Sequence, residues 1–173
     1  INDAEDFSYM FSNSLIEEIE LKNINTETLT NMSNMFSGCT SLTAITFDNF
    51  DTRKVIDMSS LFQLCVSLTS LDISNLNTSN AENMSHMFEG AISLSYLEIS
   101  KLNTENVKDF SSMFGGCNSL KNLNLNISKF DTSQVKDAHN MFYFCHSLTS
   151  LNIKNFDTSK IEDMSFMFSF MNQ

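Results

Sequence analysis

A pair of apolar residues, usually Met-Phe, recurs along the chain at a nearly fixed spacing, and this repeat limits the possible folds more than any other feature. The copies begin at Met10, Met35, Leu61, Met87, Met113, Met141 and Met167. A period of 20–50 residues is typical of proteins built from stacked units. The seven copies extend over nearly all of the 173 residues. The sequence therefore predicts a single domain over residues 1–173, without a second domain.

Each repeat contains two hydrophobic periods. In one repeat, apolar residues in the segment from Met58 to Val66 are spaced at i, i+3, i+4 and i+7, which is typical of one face of a helix. Leu71 and Ile73 then alternate with polar residues, as in a half-buried strand. The matching strand segments begin near Ala44, Tyr96, Asn122 and Ser150. The prediction is an α/β repeat solenoid of six to seven coils, with one short parallel strand and one short helix in each 26-residue coil.

Asp and Asn take the place of the usual turn residues, since the chain has four glycines and no proline. An Asx residue precedes each predicted helix, where its side chain is expected to cap the helix by accepting a backbone N–H. These predicted caps are Asp6, Asn31, Asp57, Asn83, Asp109, Asp137 and Asp163. A second Asx residue, followed by Thr, comes after each strand, as in Asp51-Thr52 and Asn77-Thr78. Asx side chains form turns by bonding their own backbone.

The cysteines occupy one position of the repeat. They are Cys39, Cys65, Cys117 and Cys145. We favour a structural column of small buried side chains, because free Cys is among the most buried residue types. A zinc site requires several converging ligands, which one column does not supply. A disulfide between Cys39 and Cys65, or between Cys117 and Cys145, stays open as an alternative.

The charge and the motifs bear on the class of function. The formal net charge is -11, whereas binding to a phosphate backbone requires clustered Lys and Arg, so nucleic acid is disfavoured as a partner. The histidines at 86, 139 and 146 share no repeat position and are expected on the surface. The chain contains neither a phosphate-binding Gly-rich loop nor a zinc-protease motif. We therefore predict no catalytic residues, cofactor or metal, and a protein that is not an enzyme.

The outward-facing residues of the strands are the candidate binding surface, because repeat proteins use extended faces for binding. The candidate partner-binding residues are Ser70, Asp72, Tyr96, Glu98, Asn122, Asn124, Ser150 and Asn152. Tyr96 leads this set, since aromatic residues dominate binding hot spots. The alternative is a plain solvated face on a spacer.

The repeat resembles the BspA-like repeat of bacterial surface proteins, including mycoplasma and listeria lipoproteins. The segments Phe156–Ser159, Asp163–Phe168 and Cys145–Ile153 carry the resemblance most closely. It implies a leucine-rich-repeat-like solenoid on the cell surface or secreted, without catalytic residues. It also implies adhesion or protein binding, with a host or neighbouring-cell protein as the partner.

Three further expectations concern the alternative function, the extent of the repeat array and the membrane. A structural spacer that projects another domain from the surface is the alternative function. The chain is also expected to be a fragment of a longer repeat array, because solenoids need polar caps over their end coils. No run of about 18 apolar residues is present, so this segment is not expected to span a membrane.

Overall fold

The computed structural model describes residues 4–121 and 127–171, in which successive repeats lie against one another as coils. Its regular elements are β1 (Glu18–Lys22), β2 (Ala44–Asp48), β3 (Ser70–Asp72), β4 (Tyr96–Glu98) and a 3₁₀-helix (Ile127–Lys129). Strands β1 and β2 form one parallel pair, and β3 and β4 form another. β2 and β4 begin at the residues that the period-two pattern indicates. The segment from Ser150 forms no strand, and Asn122 lies outside the described residues.

The predicted α/β solenoid with a helix in every coil is wrong. Residues 4–121 and 127–171 contain no α-helix, and the segment predicted as a helix from Met58 to Val66 is a series of turns. Within the same residues, no helix has the length and apolar character needed to cross a membrane.

Hydrogen bonding between coils explains why turns replace the helix. The N–H groups of Met58, Ser60, Phe62 and Leu64 donate to carbonyl groups of the following coil, at 2.7–3.0 Å. The backbone N–H of Cys65 instead donates within its own coil, to the carbonyl oxygen of Phe62. An α-helix would instead use these N–H groups for i−4 bonds. Ser60 and Leu64 also have φ values of 54° and 56°, which are incompatible with a right-handed helix and suit the third position of a type II turn.

The Asx residues that were predicted to cap helices cap none, and they have a different structural role. Consecutive members pair as isolated parallel bridges from Asp6 to Asp163, forming one continuous ladder. Each Oδ1 accepts the backbone N–H two residues ahead, for example from Ser59 to Asp57 at 2.8 Å. The same contact occurs in the other coils. The side chains therefore do accept local backbone N–H groups, but from turns.

The Asx-Thr pairs form the other corner of each coil. Asp51 accepts the N–H of Arg53 at 3.0 Å, which is the expected Asx turn. The hydroxyl of Thr52 donates to the carbonyl oxygen of Asn77 at 2.9 Å and accepts the N–H of Asn77 at 2.7 Å. Thr52 is buried, and so are its equivalents in four other coils. The hydroxyls of Thr52 and Thr78 therefore each satisfy one backbone C=O and one backbone N–H of the next coil.

Phenylalanine rings fill the centre of the core in a continuous stack. The stack contains Phe11, Phe36, Phe62, Phe88, Phe114, Phe142 and Phe168. Neighbouring centroids are 5.4–6.0 Å apart, and the ring planes differ by at most 12°. The five central rings are almost completely buried. One ring from each coil therefore joins the repeats into a single core.

The four cysteines are buried free thiols. Each donates to a carbonyl oxygen of a preceding coil, as Cys65 Sγ does to Phe36 at 3.2 Å. Burial raises the pKa of Cys65 and of Cys145 to about 12. It also raises the pKa of Cys39 and of Cys117. The thiolate that a nucleophilic or metal-binding cysteine needs is therefore disfavoured at all four positions.

We expect the folded protein to show almost no reaction with a thiol-specific disulfide reagent at about pH 8, because attack requires an accessible thiolate. In concentrated guanidinium chloride all four thiols should react. Absorbance of the released thiolate measures both. Rapid reaction of even one thiol in the folded protein would show that the column is open to solvent.

Candidate functional site

Strand pairing places the outward-facing side chains in rows on one face of the stack, which we call the strand face. Residues Leu21, Phe47, Leu71 and Leu97 point inward and are buried. Their neighbours face solvent, and the pairing aligns Ser70 with Tyr96 and Asp72 with Glu98. The preceding pair aligns Glu18 with Ala44, Glu20 with Thr46 and Lys22 with Asp48.

The structure brings four of the predicted binding residues together. Ser70, Asp72 and Tyr96 are exposed and Glu98 is partly exposed, all on the adjacent strands β3 and β4. Ser150 and Asn152 are exposed but belong to no strand. Asn122 and Asn124 lie outside the described residues. Tyr96 presents 46% of its surface to solvent, enough for its ring to contact a partner.

Asp72 and Glu98 form an acidic pair beside Tyr96. Asp72 Oδ1 accepts the backbone N–H of Ser74 at 2.8 Å, and this hydrogen bond lowers the pKa of Asp72. Hydrogen bonds from Ser100, including a backbone N–H at 2.7 Å, lower the pKa of Glu98. Both carboxylates are therefore charged at neutral pH.

The strand face is acidic overall. Strands β1 to β4 carry five acidic residues and one basic residue, Lys22. The ammonium group of Lys22 lies 3.6 Å from Glu20 and 3.5 Å from Asp48, and these carboxylates raise its pKa. The one cation of these strands is thus paired within the face.

A shallow cleft separates the two strand pairs. Its volume is about 390 Å³, and its lining includes Thr46, Ser70, Asp72 and Asn75. The amide of Asn75 donates to the carbonyl oxygen of Phe47, which joins the two walls below the opening. Sequence periodicity did not indicate this cleft, because it predicts the same strand in every coil.

The sequence pattern also did not predict a second concave surface. It has a volume of about 470 Å³ and lies beside the turns, with Gly90, Gly115 and Gly116 in its lining. Leu64 and Phe144 contribute apolar side chains. The signal in the sequence was the concentration of glycine at two neighbouring repeat positions, in a chain with only four glycines.

Two of the three histidines have carboxylate partners that repeat spacing did not suggest. His86 Nδ1 lies 2.9 Å from Glu89 Oε2, and this hydrogen bond raises the pKa of His86. The same contact lowers the pKa of Glu89. His139 Nδ1 lies 2.7 Å from Asp137 Oδ1. Both imidazoles therefore belong to the turns that follow the Asx ladder, and each has an acidic side chain close by.

Comparison with known proteins gives one family and one structural relative. A family model described as "Mycoplasma protein of unknown function, DUF285" matches residues 5–122 and again residues 93–173. No curated protein matches significantly. A leucine-rich cell surface protein from Faecalibacterium prausnitzii A2-165 is similar in structure, with 17% sequence identity and a TM-score of 0.38. The match covers 90% of this chain and 53% of that protein, so this chain spans about half of its length.

Proposed function

The chain belongs to the family described as Mycoplasma protein of unknown function, DUF285, and from that premise we propose that it is a non-enzymatic cell-surface repeat module that binds a protein through its strand face. The surface location comes from the resemblance of its repeat to BspA-like surface repeats. The observation that carries the binding role is the group formed by the exposed Tyr96 and Asp72 and the partly exposed Glu98, beside an open cleft.

The partner that fits this face is a basic surface of a host or neighbouring-cell protein. Five carboxylates against one paired ammonium group make the face complementary to Lys and Arg. The net charge of -11 would steer such a partner toward the chain. The described residues lining the cleft include the carboxylate of Asp72 but no imidazole, thiol or amine, which favours binding over catalysis.

Binding of the fluorescently labelled chain to intact epithelial cells tests this proposal. The variant Asp72→Asn, Tyr96→Ala, Glu98→Gln removes two charges and one aromatic ring, and the amide oxygen introduced at position 72 can still accept the N–H of Ser74. We expect its apparent affinity to fall by at least about tenfold, since a hot-spot residue is worth about 2 kcal/mol or more. The remaining affinity should decrease further as salt is added.

A matched variant controls for general loss of charge. Tyr9→Ala, Glu27→Gln, Glu105→Gln removes the same groups from exposed positions outside β1 to β4. It should bind like the wild type. Equal losses in the two variants would reject the strand face as the site.

A spacer that projects another domain is the second candidate. The continuous Asx ladder and the stacked rings favour it, because they join all coils into one hydrogen-bonded and packed unit. Saturable binding that depends on the strand face would contradict the spacer function, whereas absence of any cell binding would favour it.

A further inference from the structure

The Asx ladder becomes more acidic in its last coils. From Asp6 to Asp109 its members alternate between Asp and Asn, so that a neutral amide separates neighbouring carboxylates. Asp137 breaks this alternation, because it stands where Asn is expected, and three carboxylates, Asp109, Asp137 and Asp163, then follow in consecutive coils. Since paired parallel strands are about 4.8 Å apart, like charges become direct neighbours there.

A histidine enters the structure at the same place. In six coils the residue two positions after the ladder Asx is serine, and in the seventh it is His139. Its backbone N–H and its Nδ1 are both near Asp137 Oδ1, at 2.9 and 2.7 Å. Asp163 follows Asp137 in the ladder. Asp137, His139 and Asp163 each bring one ligand atom to within 4.8 Å of the others.

We propose that Asp137, His139 and Asp163 bind a divalent transition-metal ion of the zinc class. Imidazole nitrogen together with carboxylate oxygen is a donor set that suits Zn²⁺, whereas Ca²⁺ and Mg²⁺ prefer oxygen alone. Three protein ligands leave a fourth position for water or for a group from a partner. This site is separate from the strand face and does not depend on its proposed function.

The geometry allows the ion to enter and the ligands to close on it. Asp137 and His139 are partly exposed and Asp163 is exposed, so the ion has access from solvent. Zinc–ligand distances of about 2.0–2.2 Å place tetrahedral ligand atoms roughly 3.4 Å apart. Asp137 Oδ1 and His139 Nδ1, 2.7 Å apart, therefore need to move slightly apart, whereas ligand atoms up to 4.8 Å apart need to approach. Partly or fully exposed side chains can make both adjustments by small rotations.

The surrounding charges favour a cation at this position. Asp109 precedes Asp137 in the ladder and adds a third carboxylate. His86 and Glu89 are close enough to interact electrostatically with this group, and they are paired with each other. Two imidazoles and four carboxylates, including Glu89, therefore interact electrostatically here, and a divalent cation offsets the excess negative charge.

Titration calorimetry with ZnCl₂ on the whole chain tests the site. The variants His139→Ser and Asp163→Asn introduce residues that other coils carry at the same positions, so both should fold. We expect one zinc ion to bind per wild-type chain. Each variant should bind zinc more weakly, with a dissociation constant at least about tenfold larger, because it lacks one ligand. Circular dichroism checks that the variants are folded.

Histidine controls identify which imidazole binds. His86→Ser and His146→Asn also introduce residues found at those repeat positions, and they should retain zinc binding. In the wild type, ring ¹⁵N signals of His139 should shift with zinc while those of His146 stay in place. Absence of zinc binding to the wild type, or loss of binding in His86→Ser but not in His139→Ser, would overturn the proposal.

Discussion

Replacing Phe88 with alanine is expected to lower the free energy of unfolding by about 3–5 kcal/mol, the usual cost of removing a fully buried phenylalanine. Phe88 has no exposed surface and stacks between Phe62 and Phe114, at centroid distances of 6.0 and 5.6 Å. Removing the ring would leave a cavity between Phe62 and Phe114 and would interrupt the aromatic stack there. Urea unfolding followed by circular dichroism measures the change.

Phe168→Ala is the matched control. Phe168 occupies the same repeat position, but the residue is 42% exposed and its ring stacks on Phe142 alone among the described residues. We expect less than about half of the Phe88→Ala effect, because less apolar surface loses its contacts. Equal effects at the two positions would show that the stability of a coil does not depend on burial of its ring.

Replacing Thr78 with valine should lower the free energy of unfolding by about 2–5 kcal/mol, although valine has almost the same shape. The buried hydroxyl of Thr78 donates to the carbonyl oxygen of Asn103 and accepts the N–H of Asn103, both at 2.8 Å. Valine leaves both backbone groups of the partly buried Asn103 without this partner, and a backbone group left unsatisfied away from water costs about 1–3 kcal/mol.

Thr158→Val is the control for this prediction and is measured in the same way. Thr158 has the same repeat position but is exposed, so water is available to any group that contacts its hydroxyl. The effect there should stay within about 0.5 kcal/mol, as for most surface substitutions. A small effect at Thr78 would mean that the hydroxyl contacts between coils contribute little to stability.

The repeat and its period-two segments could be predicted from sequence because they depend on local alternation. Leu71 faces the core while Ser70 and Asp72 face solvent, as any half-buried strand requires. The same reasoning placed Tyr96 beside Ser70 and predicted the Asx turn at Asp51. These features need only side-chain direction and short-range hydrogen bonding.

The conformation between the strands could not be obtained in this way. Met58, Leu61 and Cys65 are all buried, as a helix would have buried them, because two consecutive tight turns return side chains to the same side. A helix and these turns differ in the carbonyl groups to which the N–H groups donate. In the turns, the acceptors belong to the following coil. Positive φ at Ser60 and at Leu64 gave no warning, since neither residue type favours that region.

The proposed sites also combine features that the sequence predicts with features that depend on the packing of neighbouring coils. The solvent-facing acidic pair of Asp72 and Glu98 follows from strand alternation, whereas the cleft next to it depends on how β2 and β3 separate. The contact between His139 and Asp137 spans two residues but requires the turn conformation, which the helix prediction excluded. The substitution of histidine in a column of serines was the available signal.

The bonding of each coil to its immediate neighbours has a mechanical consequence. The hydrogen bonds between coils join residues 24–31 positions apart, so a pulling force along the stack passes through the interfaces in series and the weakest interface yields first. Such a chain would extend in steps, each coil releasing roughly 90 Å when about 26 residues straighten. For a protein anchored at one end and bound to a partner at the other, this would absorb a sudden load while the remaining coils keep their fold.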